Sequence, residues 1–189
     1  MLYERTLGQW LEHWATTTPD KEYIVYSDRN LRFTWSQFNR RVDDMAKGLI
    51  AIGVERGTHV GIWAANVPDW LTLLYACAKI GAVYVTVNTN KKQAELEYLC
   101  ENSDMHTLCI VNGEKDSDFV QMTYTMLPEL KTCQRGHLKS ERFPYMKNVI
   151  YVGQEKHRGM YNTSEILLLG DNVEDTRLNE LKSRVSCHD

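Results

Sequence analysis

The sequence predicts an α/β protein with a doubly wound, mostly parallel sheet, flanking helices, and an N-terminal helix and β-hairpin. Three observations lead to this prediction. Short apolar segments typical of buried strands alternate with helical segments from His59 to Gly153. The stretch "AKIGAVYVTVN" (78–88) contains a glycine stop where a helix would turn back onto a parallel sheet. Finally, a chain of 189 residues, 43% of them hydrophobic, is long enough to bury a core.

The first 35 residues predict a helix followed by a two-stranded ribbon. Apolar residues recur at helical spacing in "TLGQWLEHWATTTPD" (6–20), and Pro19 ends the pattern. The β-rich segments "EYIVYS" (22–27) and "LRFTW" (31–35) are joined by Asp28, Arg29 and Asn30, which tolerate a tight turn. We therefore expect a hairpin here.

A long amphipathic helix and a βαβ unit follow. Thr34 and Gln37 have the spacing of a capping box, and Gly53 supplies the C-terminal stop of that helix. The next three segments are an apolar strand, "HVGIWAAN" (59–66), an apolar helix, "VPDWLTLLYACAKIG" (67–81), and a second strand, "AVYVTVN" (82–88). This order predicts a right-handed crossover between parallel strands.

The alternation then continues to the end of the sheet. Helices are predicted over 93–103, 117–130 and 162–170, and strands over 107–112 and 148–153. The connection between Glu129 and Lys147 is expected to be a solvated loop, with the basic residues Lys131, Arg135, Lys139, Arg142 and Lys147.

We divide the chain into an α/β subdomain over 1–170, with the helix and hairpin in 1–35 and the βαβ layer in 36–153. The polar segment 171–189 is expected to be a linker.

Composition and charge argue against several classes of protein. A formal net charge of −3 gives no overall attraction to phosphates, so we expect no nucleic acid partner. The five cysteines contain no Cys-x-x-Cys pair, and no stretch approaches the ~18 consecutive apolar residues of a membrane span. With a charged N-terminus, this favours a cytoplasmic protein, and peripheral contact with a membrane stays open.

The glycines closest to a phosphate-binding pattern are Gly53, Gly57 and Gly61 in "GVERGTHVG". They precede a strand and do not open a helix, so a structural turn explains them better than a phosphate loop. No Gly-Lys dipeptide occurs, and the first strand-to-helix junction, "AANVPDW" (64–70), contains no glycine. This argues against a dinucleotide site.

Other reactive side chains also lack the spacing of a known site. His106 and Cys109 lie near Cys100 in sequence, but burial of a free cysteine explains the pattern better than a metal site. The other histidines are His13, His59, His137, His157 and His188, and they form no metal-binding motif. Ser164 is expected to belong to a helix cap, and the Tyr and Trp residues along 63–84 are expected to pack in the core.

Two of these segments carry a resemblance to a known family. "FTWSQF" (33–38) and "AKIGAVYVTVN" (78–88) resemble the first and second core motifs of adenylate-forming acyl-CoA synthetases, with Trp35 where tyrosine is usual. The resemblance is closest to the fatty-acid–CoA ligase branch. It runs from Leu31 to Val111 and weakens from about Asp116. It implies the N-terminal subdomain of the acyl-CoA synthetase fold.

The resemblance also implies a two-step reaction for the whole enzyme. A fatty or other hydrophobic carboxylic acid attacks the α-phosphate of ATP and gives an acyl-adenylate and pyrophosphate. The thiol of coenzyme A then displaces AMP, while magnesium and basic residues neutralise the phosphates. ATP, magnesium and coenzyme A are therefore the implied cofactors of the parent enzyme, and none is expected to bind to this chain alone.

The family's other motifs have no match in this sequence. These are the Ser/Thr/Gly-rich phosphate loop ending in Pro-Lys-Gly, the adenine and ribose motifs, the hinge, and the C-terminal domain with its catalytic lysine. In the family the loop begins a few residues after a segment like "LKSRVSCHD" (181–189). No catalytic, cofactor-binding or metal residue is therefore assigned, and we expect the chain alone to be inactive. Its exposed sheet edges should favour self-association or domain swapping.

Three alternatives stay open at this point. An aryl-acid ligase, a luciferase-like enzyme or a peptide-synthetase adenylation domain would differ in an acid pocket that lies outside this sequence. A non-catalytic α/β interaction module would keep the fold without the site. A flavodoxin-like module would bind a flavin or a nucleotide.

Overall fold

The computed structural model describes residues 4–90, 92–114 and 117–188. A five-stranded parallel sheet lies between two layers of helices, and each face of the sheet covers its own hydrophobic cluster. The α/β fold with a parallel sheet and flanking helices, predicted from the sequence, is confirmed. Within these residues no helix has the length and apolar character needed to cross a membrane.

The N-terminal part consists of two capped helices with a hairpin between them. Helix α1 (Leu7–Thr17) begins with a capping box formed by Thr6, and α2 (Trp35–Ala51) begins with the predicted one at Thr34. Strands β1 (Glu22–Tyr26) and β2 (Leu31–Thr34) pair antiparallel between them. Asn30, at a φ of 47°, closes their turn, because asparagine tolerates the left-handed region.

The rest of the chain builds the parallel sheet, its helices and a separate two-stranded antiparallel sheet of β6 and β7, whose ranges follow. In chain order its elements are β3 (His59–Trp63), α3 (Pro68–Ile80), β4 (Val83–Thr86), α4 (Gln93–Asn102), β5 (Thr107–Ile110), β6 (Gly113–Glu114), β7 (Ser117–Asp118), α5 (Phe119–Met126), β8 (Asn148–Tyr151), β9 (Tyr161–Asn162), α6 (Thr163–Gly170) and α7 (Asp175–Ser183). The strand order is β4-β3-β5-β8-β9, and every pair is parallel. Gly81 ends α3 in the left-handed conformation, as the opening motif predicts.

The two faces of the sheet bury alternate side chains of the same strands. Ile62 and Cys109 belong to one cluster, which contacts α1, α2, α3, α6 and α7. Trp63 and Leu108 belong to the other, which contacts α4 and α5. Successive residues of a strand point to opposite faces, so burial on both faces requires apolar residues at nearly every position. This explains the continuous apolar runs in the sequence.

Two segments are more structured than the sequence pattern predicts. The connection before β8 keeps its basic residues at the surface, but it also buries Leu138, Phe143 and Met146 in the second cluster, so it is not simply a solvated loop. The polar segment 171–189 contains α7, whose Leu178 and Leu181 are buried in the first cluster. Two apolar residues in a nine-residue helix give too weak a pattern to predict it from sequence.

A cluster of charges around the buried Lys79 joins four of the helices on the first face. The side chain of Lys79 on α3 is 1% exposed, and its Nζ lies 2.8 Å from Asp43 on α2 and 3.2 Å from Glu12 on α1. Its Nζ also donates to the Asn39 amide oxygen at 2.7 Å. Lys182 on α7 lies 2.8 Å from each of the same two carboxylates. Each buried charge therefore has a partner, as its desolvation requires.

The crossing of α2 and α6 depends on glycines, and Gly48 provides the first test. A Cβ at Gly48 would lie 2.5 Å from the Ile166 carbonyl oxygen, so α6 would have to move. We expect Gly48→Ala to lower the free energy of unfolding by about 1–2 kcal/mol in urea, because overpacking outweighs the gain in helix propensity.

Gly61→Ala is the matched control for this prediction. The nearest atoms to a Cβ at Gly61 belong to the flexible end of the Met105 side chain, which can move aside at lower cost. A loss of stability in Gly61→Ala as large as in Gly48→Ala would contradict the explanation.

The charge cluster predicts how stability depends on acid. Burial raises the pKa of Glu12, but the hydrogen bond from Lys182 and the charges of Lys79 and Lys182 prevail and hold the pKa below its ordinary value of 4.5. A lowered pKa adds stability above pH 4.5 that is lost as the pH falls through the folded-state value. Because the Glu12 side chain is 39% exposed, screening limits this contribution.

We expect the wild type to lose roughly 0.5 kcal/mol more stability than Glu12→Gln between pH 7 and about pH 3.5. Urea unfolding at the two pH values measures this difference. Glu141→Gln, in the exposed part of the connection before β8, serves as the control and should follow the wild type. Equal acid sensitivity of Glu12→Gln and the wild type would refute the assignment.

Candidate functional site

The carboxyl edge of the parallel sheet is the first candidate site. In open parallel sheets ligands bind beyond the carboxyl ends of the strands, at the point where the strand order reverses. Here the chain passes from β3 to β4 on one side and then to β5 on the other, so this point lies between β3 and β5. The exposed Asn66 follows β3, and the exposed Asn112 follows β5.

A small polar cluster lies at this edge. The Asn112 side-chain amide donates to Glu155 Oε1 at 3.3 Å, and Glu155 Oε2 lies 3.6 Å from His157 Nε2. The His157 ring packs against Tyr151, with ring centroids 4.5 Å apart. Within the described residues His157 Nε2 is buried and accepts or donates no hydrogen bond. The sequence could not reveal this cluster, because Asn112 and Glu155 are 43 positions apart.

The second candidate is a groove of about 820 Å³ at the opposite end of the sheet. It lies between α1, α3, the amino end of β4 and residues 185–187. Leu74, Ala78 and Val83 give it an apolar surface, and Arg5 and Arg56 contribute positive charge. Arg5 lies over the Trp10 ring, 4.8 Å from its centroid. The groove has the volume of a small-molecule pocket.

The three glycines considered for phosphate binding have structural roles in turns and in packing. Gly53 and Gly57 adopt φ values of 88° and 80° in the turns before β3, which favour glycine. The Gly57 amide donates to the Gly81 carbonyl at 2.8 Å. Gly61 lies within β3, where the Met105 side chain occupies the space next to it. None of the three opens a helix, so the structural interpretation holds.

The structure does not bring His106, Cys100 and Cys109 together. Cys109 is buried on one face of the sheet and Cys100 on the other, where its thiol lies 3.7 Å from Met105 Sδ. Burial raises the pKa of each thiol to about 12, so both stay protonated near neutral pH. His106 Nδ1 lies 2.9 Å from the Thr107 hydroxyl. Among the described residues no three His, Cys, Asp or Glu side chains are grouped for metal binding.

The remaining candidates also contribute to packing and surface ion pairs. His59 Nδ1 contacts the Ser103 carbonyl, and His13 packs edge-on against two tryptophans. Asn162, and not Ser164, caps α6, because the Asn162 side chain accepts from the Glu165 amide at 2.9 Å. The Ser164 hydroxyl instead donates to Gln154.

Two of the five basic residues before β8 form ion pairs. Arg142 lies 2.6 Å from Glu97 and 3.0 Å from Glu101, and Arg135 lies 2.8 Å from Glu165. The predicted aromatic packing is confirmed, since Trp63 is fully buried and stacks on Phe119 with centroids 3.8 Å apart. These side chains therefore stabilise the fold and do not assemble a reaction site.

Comparison with known proteins identifies the family. The model of the family described as AMP-binding enzyme matches residues 11–164. YngI of Bacillus subtilis, a candidate acyl-CoA synthetase, is 41% identical over 95% of this chain. The mitochondrial medium-chain acyl-CoA ligase ACSF2 of Bos taurus is 31% identical over the whole chain. The chain spans 33% and 31% of the lengths of these two relatives.

Solved structures show the same fold. The anthranilate CoA ligase AuaEII, solved in complex with anthranoyl-AMP, aligns with a TM-score of 0.69 at 17% identity, over 89% of this chain and 29% of its own. The α/β layer described above is thus shared with CoA ligases, and the family model covers more than half of the sequence. The chain belongs to the AMP-binding enzyme family.

Proposed function

We propose that this chain is the N-terminal α/β part of an AMP-forming acyl-CoA synthetase. The parent enzyme would activate a carboxylic acid with ATP as an acyl-adenylate and transfer the acyl group to coenzyme A. The observation that carries the proposal is the match to the AMP-binding family over 11–164, together with acyl-CoA synthetases among relatives about three times as long. The resemblance in "FTWSQF" and "AKIGAVYVTVN" also supports an acyl-CoA synthetase, of the fatty-acid–CoA ligase branch.

The residues of this chain do not by themselves fit ATP or magnesium. The junction from β3 to α3 contains no glycine for close approach of a pyrophosphate, and its helix begins without a side-chain cap. Among the described residues, the cluster of Asn112, Glu155 and His157 offers one amide, one carboxylate and one imidazole, which is not the oxygen-rich set that magnesium prefers. We therefore give no residue of this chain a catalytic role and assign the chemistry to the parent enzyme.

The acid of the parent enzyme is proposed to be a fatty or other hydrophobic acid. The name of the bovine relative, a medium-chain acyl-CoA ligase, supports this choice. An aryl acid is the second candidate, because AuaEII is named for anthranilate and shares the fold. For the chain itself, a non-catalytic α/β interaction module is the alternative to a part of an enzyme. A cytoplasmic location stays a prediction.

Pyrophosphate exchange tests whether the activity belongs to the parent enzyme and not to this chain alone. We expect no ATP–pyrophosphate exchange above a buffer blank when the chain is assayed alone with fatty and aryl acids. A chimera in which this chain replaces the matching part of YngI should exchange pyrophosphate in an acid-dependent way, because the two sequences are 41% identical over that part.

Two results would count against the proposal. Exchange by the chain alone would show a nucleotide site within these residues. A folded chimera that exchanges nothing, when unmodified YngI is active in the same assay, would show that the chain does not serve as this part of an acyl-CoA synthetase. The same chimera carrying Gly48→Ala is the folding control. This variant should be less stable than the chimera but should still exchange pyrophosphate while it is folded, so loss of stability and loss of exchange can be told apart.

Self-association of the chain is a separate prediction from the exposed sheet edge. Strand β4 pairs with β3 on one side, and its Val83 is 43% exposed. The strand "VYVT" carries no charged residue or proline that would discourage edge pairing. We expect the scattering mass to rise with concentration and Val83→Lys to reduce that rise. Leu168→Lys, at a 67% exposed position on α6, should leave it unchanged. A monodisperse monomer at high concentration would contradict the prediction.

A further inference from the structure

Helix α7 is attached to the rest of the protein largely through charged side chains. Leu178 and Leu181 are its two buried residues. Asp175 lies 2.5 Å from Lys47 Nζ on α2, and Lys182 contacts α1 and α2 through Glu12 and Asp43. Two leucines give a small apolar contribution compared with the conformational entropy of ordering nine residues. The ion pairs are therefore important for keeping α7 docked.

The rest of the protein offers Lys182 a site with a net negative charge. Glu12 and Asp43 carry two negative charges, and the buried Lys79 supplies one positive charge. Lys182 completes the neutralisation and comes from α7, whereas Lys79 belongs to α3. The side chains of Lys182, Asp43 and Glu12 are 19%, 24% and 39% exposed, so dissolved salt can screen their attraction.

The residues after α7 lie across the groove beside β4. Val185, Ser186 and Cys187 line it together with α1 and α3. Val185 packs on Gly81, where an added Cβ would lie 3.3 Å from Val185 Cγ2. The position of α7 therefore determines how far the groove and the amino end of β4 are covered.

We propose that residues 175–188 form a strap that opens as a unit and uncovers the groove beside β4. The contacts of Lys182 with Glu12 and Asp43 form the latch that holds the strap closed, and ionic strength controls them. Opening is a local equilibrium that does not require unfolding of the sheet, as is common for segments with few buried apolar contacts. The proposal rests on contacts within this chain and not on the activity of the parent enzyme.

Hydrogen exchange of the full chain, followed by mass spectrometry, tests the strap. We would compare about 0.02 M with about 0.5 M NaCl, between which the Debye length falls several-fold. Amides of α7 should exchange roughly three to ten times faster at high salt and in Lys182→Met, the range for a partly buried ion pair. Amides of α2 and β3 should be unaffected.

Arg177→Met is the matched control, because Arg177 binds Glu180 on the same helix at 2.7 Å. It should change α7 exchange far less than Lys182→Met does. Asp175→Asn, which removes the contact with Lys47, should accelerate exchange in the same direction as Lys182→Met. Urea unfolding shows whether each variant keeps the global fold.

Three results would overturn the proposal. The first is exchange of α7 at the same rate as the core, with no dependence on salt. The second is an equal effect of Arg177→Met and Lys182→Met, which would show a general loss of helix stability. The third is simultaneous loss of protection in α2 and α7 in both Lys182→Met and Asp175→Asn, which would show that α7 unfolds with the whole chain.

Discussion

The burial of β3 on both faces is the constraint on which the rest of this structure depends. Val60, Gly61, Ile62 and Trp63 are all buried, and the strand pairs with β4 on one side and β5 on the other. Its buried backbone groups need hydrogen-bond partners, and the parallel neighbours β4 and β5 supply them on both edges. Parallel neighbours in turn require crossover helices, which supply the two helix layers.

The helix layer on the first face is held together by close approach and by charge. Gly48 and Gly170 let the backbones of α2 and α6 come into contact, where any larger side chain would separate them. Lys79 draws carboxylates from α1 and α2 toward α3, and Lys182 adds α7 to the same cluster. Burial lowers the pKa of Lys79, although the charge of Asp43 opposes this. The carboxylates are therefore needed to compensate the buried charge, and the cluster fixes where the helices meet.

The two candidate sites lie at opposite ends of the sheet and differ in character. The carboxyl edge, with Asn112, Glu155 and His157, occupies the usual ligand position of a parallel sheet, and the sequence of its first strand-to-helix junction contains no glycine. The groove beside β4 is larger, mostly apolar and partly covered by the residues after α7. The chain spans about a third of the length of the two relatives named above.

The sequence alone determined the fold class and the order of the longer helices and strands up to β8, because buried strands and capped helices leave local patterns of two and 3.6 residues. It indicated the family separately, by the resemblance of "FTWSQF" and "AKIGAVYVTVN" to known motifs. It also predicted the structural roles of Gly53, Gly57 and Cys109. It did not predict β6, β7 and β9, which are only two residues long each, or α7, whose two buried leucines give too little periodicity. Only the tertiary structure brought Lys79, Lys182, Glu12 and Asp43 together, or placed Asn112 beside Glu155. These contacts join residues far apart in the chain, and no local pattern encodes the geometry in which separate helices and strand ends meet.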